Sequence, residues 1–465
     1  MFAQLMLGHP RALPFSPRMP EQPPASRERA GAVSALALLL AINLFNYIDR
    51  YILAAVIPPL STEFGLREEQ AGLLASAFLY AYMIGAPLMG RLAERVSRWW
   101  IIAGSVAVWS LASGWTGLAT GFTMLLITRV FVGIGEAGYG PAAPALISDY
   151  FPVERRGKVM ALFYIAIPVG SALGFVFGGK INELWGWRWA FYLVVPPGLL
   201  LAALCLLRRE PRAAPRAGVP GEKRSFIADA KTLLRIPSYA LNTAAMTAMT
   251  FAIGGISFWI PKYMQQRLAI HEGLGPLIAV EHATRVESPM MRAQLTQLLT
   301  DANTTFGVIV VAAGIIATFL GGWLADKLRP RWSGAYFWLS GIAILLAFPC
   351  TLGMIWLPFP YAWIAVFFAV FFLFFNTGPA NTALANVTSS KIRATAFALN
   401  IFLIHALGDA ISPPLIGWVK RVTNWDTAFV LVSLMMVLAS ALWMLAARHL
   451  ERDEAAAGET QPPLT

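Results

Sequence analysis

Three charged residues lie inside otherwise apolar stretches of the N-terminal half of the chain: Asp49, Arg129 and Glu136. A charge at membrane depth costs at least ~2.5–3.5 kcal/mol on insertion scales, so each is expected to face protein or a wet cavity and to need a partner. Arg129 and Glu136 are seven residues apart in one apolar run, hence on one helical face, about 10 Å and about 21 Å from the outer end of that run. Asp49, in a run of opposite direction, falls about 16 Å from the same end, between the other two in depth. If the two runs are neighbours, Arg129 can pair with either acid. Such a triad suits proton coupling, because the arginine holds one carboxylate ionised and leaves the other free to take a proton. An anionic substrate competing for Arg129 would tie binding to protonation. The plainer alternative is an ion-pair network that only fixes helix packing. We favour the functional reading, since intramembrane charge is functional by default.

Other candidate chemistry is sparser. His405 and Asp409 are four apart on one helical face, a spacing that serves a proton relay or sensor as well as it serves a packing pair. Two ligands without a third do not make a metal site. Cys205 and Cys350 both sit in apolar runs at no metal or redox spacing and read as packing residues. No Walker-type phosphate loop is present and no nucleophile–base constellation shares a common depth, so the chain is read as neither ATP-driven nor an enzyme. No cofactor is expected; the energy source would be a proton gradient.

The elements that must position these residues follow from composition. Of 465 residues, 57% are hydrophobic and only 13% are charged, against about 25% charged in soluble domains. The chain is therefore expected to be an integral membrane protein. The net charge of +11 comes from basic clusters between apolar runs, a topology signal and not a nucleic-acid surface. Runs long enough to cross ~30 Å of hydrocarbon as helix recur near 33–60, 70–92, 99–119, 122–148, 158–181, 188–207, 238–261, 303–325, 333–357, 361–389, 394–418 and 427–447. One set of alternating connections carries about 19 Lys and Arg and the other about 9, which makes the richer side and both termini cytoplasmic. In a bacterium this would be the inner membrane. The predicted order is a disordered cytoplasmic segment over 1–30 with no signal peptide, a six-helix bundle over 31–208, a cytoplasmic linker over 209–237, a second bundle over 238–448 and a cytoplasmic tail over 449–465. Within the second bundle, 265–302 is expected as an extracytoplasmic loop, with a surface helix or cap.

The halves carry a repeat. Gly90-Arg-Leu-Ala-Glu94-Arg95-Val-Ser-Arg98 follows the second run and Gly322-Trp-Leu-Ala-Asp326-Lys327-Leu-Arg329 follows the eighth; Tyr139-Gly140-Pro141-Ala142 matches Thr377-Gly378-Pro379-Ala380. These inner-loop signatures resemble those of the major facilitator superfamily. Asn43-Leu-Phe-Asn46-Tyr47-Ile-Asp49-Arg50-Tyr51, the run from Arg129 to Ala137, and His405-Ala-Leu-Gly-Asp409 resemble the Spinster family within it. The resemblance implies an all-α membrane fold of twelve helices in two pseudo-symmetric bundles, around a cavity lined by the first, fourth, seventh and tenth helices and worked by alternating access. It also implies export of lysophospholipids or sphingosine-1-phosphate.

Glu94, Arg95, Arg98, Asp326, Lys327 and Arg329 are read as conformational latches, since acids there can salt-bridge a helix end in one access state and release it in the other. Gly and Pro between Pro168 and Gly179 read as tight packing or a hinge. Applying the repeat offset, Arg129 and Glu136 correspond to Phe367 and Phe374, so the cavity should be lopsided. One wall would offer Asn43, Asn46, Tyr47, Arg50 and Tyr139 beside the charged triad. The other would offer Met246, Met249, Phe251 and Phe374, with Asn376, Thr377 and Asn381 as its polar handles. That pairing suits an amphipathic anion. The expected function is proton-coupled transport of a lysolipid-like anion by a monomer in the lipid bilayer. Transport of soluble organic anions, multidrug efflux, and a non-transporting sensor or scaffold are the alternatives.

Overall fold

Apolar runs of this length fold as helices because only a helix satisfies every backbone polar group from within a single segment inside lipid. The computed structural model describes residues 25–93, 95–151, 153–208, 210, 226–274, 289–389 and 392–459. Its spanning helices are α1 (Ala25–Ala55), α2 (Glu68–Leu92), α3 (Arg98–Gly117), α4 (Phe122–Tyr150), α5 (Val153–Trp185), α6 (Trp187–Leu206), α7 (Pro237–His271), α8 (Pro289–Leu328), α9 (Ala335–Trp356), α10 (Tyr361–Asn386), α11 (Thr395–Val422) and α12 (Trp425–Ala447). Eleven of these are long and apolar enough to cross a membrane by composition. The twelfth, α3, is diluted by Ser105, Ser110, Ser113 and Thr116, hydroxyls that are all buried against neighbouring helices.

The repeat seen in the sequence reappears as a shared defect. α4 breaks between Glu136 and Tyr139, and α10 breaks between Phe374 and Thr377. The two breaks fall at matching positions of the repeat, each just before the Gly-Pro pair that weakens the helical ladder. The halves meet along two helix pairs, α5 with α8 and α2 with α11. Glycines permit the close approach. A Cβ on Gly417 would stand 2.6 Å from the Glu68 backbone, and one on Gly307 would stand 2.9 Å from the Ala172 carbonyl oxygen.

Four boundaries differ from expectation. α1 already begins at Ala25, inside the stretch read as disordered, because no proline separates it from the apolar run. Of the 265–302 connection, the described residues are largely helical: α7 continues to His271 and α8 starts at Pro289. Gln265 ties the two extensions by donating to the Leu295 carbonyl at 2.8 Å; residues 275–288 of that connection lie outside the described residues. The linker contains a helix, Phe226–Leu234. The tail contains another, Leu450–Glu459, anchored where Asp453 accepts from the Ser238 backbone N–H at 2.9 Å and from its hydroxyl at 2.7 Å. An acid at the N-terminus of α7 complements the helix dipole, and this interaction fixes a segment whose composition suggested disorder.

Candidate functional site

Asp49, Glu136 and Arg129 are all buried, with 1%, 1% and 2% of their surface exposed. The structure pairs them differently from the sequence expectation. Glu136 accepts from Arg50 at 2.6 Å, an ion pair between α4 and α1. The Arg50 guanidinium also lies over the rings of Phe78 (4.7 Å), Tyr47 (5.2 Å) and Tyr82 (5.8 Å), and its side chain keeps 24% exposure. Arg129 donates to the Thr116 hydroxyl at 2.6 Å and stacks 5.5 Å from the Phe191 ring centre. Asp49 accepts from the Ser113 hydroxyl at 2.5 Å.

The expectation that Arg129 pairs with either acid is thus corrected. Seven residues along a helix separate Arg129 and Glu136 by about 10 Å, beyond a direct pair. On α1 the adjacent residues Asp49 and Arg50 point about 100° apart, so Asp49 meets α3 while Arg50 meets α4. Arg50, read as a substrate contact, is the arginine that neutralises Glu136. Ser113 and Thr116, which receive Asp49 and Arg129, went unread because α3 carries no charge there. Asp49 still lies within electrostatic reach of Arg129.

Two small cavities open beside these groups. The first, about 120 Å³, is lined by Arg50, Arg129 and Asp409 together with Phe78, Phe258 and Pro413. The second, about 60 Å³, is apolar, with Phe175, Ile256, Phe306, Val310, Leu373 and Phe374 in its wall. Tyr51 and Ser257 belong to both. His405 lies 3.0 Å from both oxygens of Asp409 on a π-helical turn, His405–Asp409. Asp409, on this widened turn of the C-terminal half, shares a cavity wall with the two arginines of the N-terminal half. Such π-bulges recur at functional sites.

The remaining predicted wall is divided. Phe374 lines the apolar cavity. Met246 and Met249 do not line either cavity: both are buried, with their sulfurs 3.6 Å and 3.8 Å from the amides of Asn400 and Asn376. Side chains at that face of α7 are used to pack against α10 and α11. Asn376 donates to the Phe372 carbonyl and Asn381 to the Thr377 carbonyl, each within its own helix. Asn43 donates to the Phe163 carbonyl at 2.8 Å and Tyr139 to the Leu39 carbonyl at 2.7 Å, joining α1 to α5 and α4. Those bonds hold the bundle together. Asn46 is buried, while Tyr47 and Phe251 are half-buried and Thr377 is exposed.

Arg98 is clamped by Asp149 at 2.5 Å and Glu210 at 2.6 Å. Asp326 accepts from Tyr336 at 3.0 Å, Lys327 lies 4.7 Å from the Trp323 ring centre, and Arg329 pairs with Glu454. Arg95 is exposed, and Glu94 lies outside the described residues. All of these contacts stay within one half. At the opposite end the halves are bridged. Glu68 pairs with Lys420 of α11 and lies 3.8 Å from Lys262 of α7; Glu69 pairs with Arg421 at 3.2 Å. Asn303 donates to the Ala55 carbonyl and Thr300 to the Gly179 carbonyl, both at 3.1 Å. Among the described residues, every such bridge between the ends of the halves lies at the end away from Arg98 and Arg329, so the molecule is closed at that end. Glu68, Glu69, Lys262, Lys420 and Arg421 were missed because charges near span ends read as ordinary topology signals.

The Major Facilitator Superfamily model matches residues 39–408. Protein spinster homolog 1 of Homo sapiens is 32% identical over 437 residues, spanning 89% of this chain and 79% of that protein. Protein spinster homolog 3 of Danio rerio is 31% identical over 496 residues, spanning 100% and 95%. Among solved structures, an inward-facing, unoccupied bacterial homolog to the human lysosomal transporter Spinster superposes with a TM-score of 0.76 at 23% identity, covering 91% of this chain and 98% of that one. A D-xylose–proton symporter superposes at 0.64 and 18% identity, covering 88% and 97%. At these identities the structural likenesses speak to the fold alone.

Proposed function

The chain belongs to the major facilitator superfamily and within it to the Spinster family of transporters, and from that premise we propose that it moves a lysolipid-like anion by proton-coupled alternating access. The carrying observation is the adjacent pair of cavities between the halves, sharing Tyr51 and Ser257 in their walls, with Arg50 and Arg129 in the first and Phe175, Phe306 and Phe374 in the second. An anionic head matches the two guanidiniums, which fork onto phosphate or carboxylate, and an alkyl chain matches the apolar end. In the closed-outer state the cavities are too small for a whole lysolipid, so loading requires the halves to part at the end that carries Arg98 and Arg329.

Coupling follows from the Arg50–Glu136 pair. Arg50 is partly exposed to the cavity while its acid is buried. A proton on Glu136 weakens the pair and releases Arg50 to an anionic head; an anion on Arg50 in turn frees Glu136 to bind a proton. The two ligands therefore favour one another's binding, as linkage requires. The test is transport of a lysophospholipid in proteoliposomes with and without an imposed pH gradient, compared with a soluble dicarboxylate. Accumulation that responds to the gradient and is lost in Arg50→Ala supports the reading. Gradient-independent movement, or a preference for the dicarboxylate, overturns it. Joint binding makes proton and anion move in one direction, inward under an inward proton gradient, whereas the family resemblance implies export; the side of release in the same assay decides the direction.

A further inference from the structure

The roles of Asp49 and Arg129 depend on two hydroxyls of α3 that neither cavity includes. Ser113 and Thr116 are three residues apart, one turn of helix, and both are fully buried. Ser113 holds the Asp49 carboxylate at 2.5 Å and Thr116 holds the Arg129 guanidinium at 2.6 Å. Thr116 lies 3.0 Å from the Thr128 hydroxyl, which donates to the Leu125 carbonyl at 2.8 Å, so the Arg129 anchor is itself braced by α4. One carboxylate oxygen, Asp49 Oδ1, and one guanidinium nitrogen, Arg129 Nε, are buried without a hydrogen-bond partner. A carboxylate and a guanidinium held one helical turn apart on α3, each with a buried polar atom left unsatisfied, would gain from direct contact. They do not make it.

We infer that Ser113 and Thr116 are positioning residues, a pair of hydroxyl spacers that keep Asp49 and Arg129 from collapsing into a direct ion pair. Separated, Asp49 remains protonatable and Arg129 remains available to an anion in the cavity. Collapsed, the pair would fix Asp49 as a carboxylate and remove Arg129 from the cavity wall. The inference rests on the proposed proton coupling for its functional meaning, although the spacing itself is independent of what is transported.

The charged groups that bear on Asp49 can be enumerated by helix. Arg50 neighbours it on α1; Arg129 and Glu136 face it from α4. Asp409, with His405 beside it, enters from α11 through the cavity wall. No Asp, Glu, Lys, Arg or His lies between 70 and 90 of α2, 99 and 117 of α3, 159 and 179 of α5, 189 and 207 of α6, or 240 and 261 of α7. With so few competing charges, the two α3 hydroxyls have disproportionate leverage on the protonation of Asp49.

The test reads that protonation directly. In purified protein the infrared band of a protonated carboxyl, assigned by its loss in Asp49→Asn, is titrated against pH. Ser113→Ala removes a donor to the ionised form while Thr116 still holds Arg129 away from Asp49, and is expected to move the midpoint up by about one pH unit. Thr116→Val, nearly isosteric, frees Arg129 to reach Asp49 and is expected to move it down by a similar amount. The conservative variants Ser113→Thr and Thr116→Ser retain a hydroxyl and are expected to keep the wild-type midpoint; they also stand in as folded controls. Opposite shifts are not produced by general loosening of the bundle. Unshifted midpoints in both variants, or shifts of the same sign, overturn the inference. A midpoint that shifts as expected while lysophospholipid exchange stays flat with pH leaves the spacer standing and rejects proton coupling.

Discussion

Replacing Glu68 by Gln should open the molecule at the end that is closed. Glu68 is the shared partner of two lysines from the other half, Lys420 and Lys262, whose side chains keep only 15% and 7% exposure. Gln is close in volume, so packing of α2 against α11 is retained while the charge is lost. Removing one partner of a buried pair costs about 3–5 kcal/mol because the remaining charge is left uncompensated. Here Lys420 retains the Trp425 ring 5.6 Å from its ammonium, and Glu69 still holds Arg421, so the lower figure applies. About 3 kcal/mol corresponds to a factor on the order of 10² in the balance between closed and open states. A population that favours the closed form by about 100 to 1 would move to near parity. The assay is a spin–spin distance measurement between Thr62→Cys and Thr423→Cys, one in each half at this end, in a background with Cys205 and Cys350 replaced. A second, longer distance is expected in Glu68→Gln, and the double variant Glu68→Gln/Lys420→Met should return much of the population to the short distance. An unchanged single distance would show that the α2–α11 and α5–α8 packing closes this end without help from the ion cluster.

Three further outcomes follow from the geometry. Glu136→Gln removes the acceptor that holds Arg50, so lysophospholipid binding should persist while its dependence on pH is largely abolished; retention of the wild-type pH profile in a binding titration would move the coupling role elsewhere. Arg98→Ala leaves Asp149 and Glu210 facing one another without a cation, at a cost of about 3 kcal/mol. The apparent melting temperature in detergent should fall by several degrees, with Arg98→Lys intermediate, and an unchanged melting curve would refute the buried clamp. Ala369→Phe fills the apolar cavity, and should raise the apparent KM for long-chain lysolipids while sparing short-chain ones; equal effects on both would place the chain outside that cavity.

The charges at the two ends of the bundle behave differently for a physical reason. Arg98 and Arg329 each meet an acid that follows the last span of their own half, Glu210 and Glu454, so each half is tied internally at that end. Glu68 and Glu69 instead reach lysines and an arginine of the other half. Internal ties can persist through a rocking motion; ties across the halves must break. Among the described residues, the members of the latch expected from the repeated inner-loop signatures bind within their own half, and the ties across the halves lie at the other end.

Much of this was legible in the chain itself. Hydrocarbon thickness dictates helix length, so the apolar runs located all twelve spans, although α1, α7 and α8 extend well beyond them, and the scarcity of charge among them singled out Asp49, Arg129, Glu136 and Asp409. The matching Gly-Pro positions disclosed a duplication that the structure repeats as paired breaks after Glu136 and Phe374. Partner choice was not legible. Which acid an arginine reaches depends on the direction each side chain takes around its helix and on what the neighbouring helix offers there. A mere 100° turn between Asp49 and Arg50 sends one to Ser113 and the other to Glu136. Met246 and Met249 were apolar in sequence and apolar in the structure, yet only packing decided that they face Asn400 and Asn376 and leave the cavity to residues such as Phe175 and Phe306. The tail and the start of α1 were polar enough to suggest disorder, and specific contacts such as Ser238 with Asp453 order the tail. Sequence alone fixes which residues must be buried, because burial is set by transfer from water; tertiary structure decides what they touch, because contact is set by geometry across helices far apart in the chain.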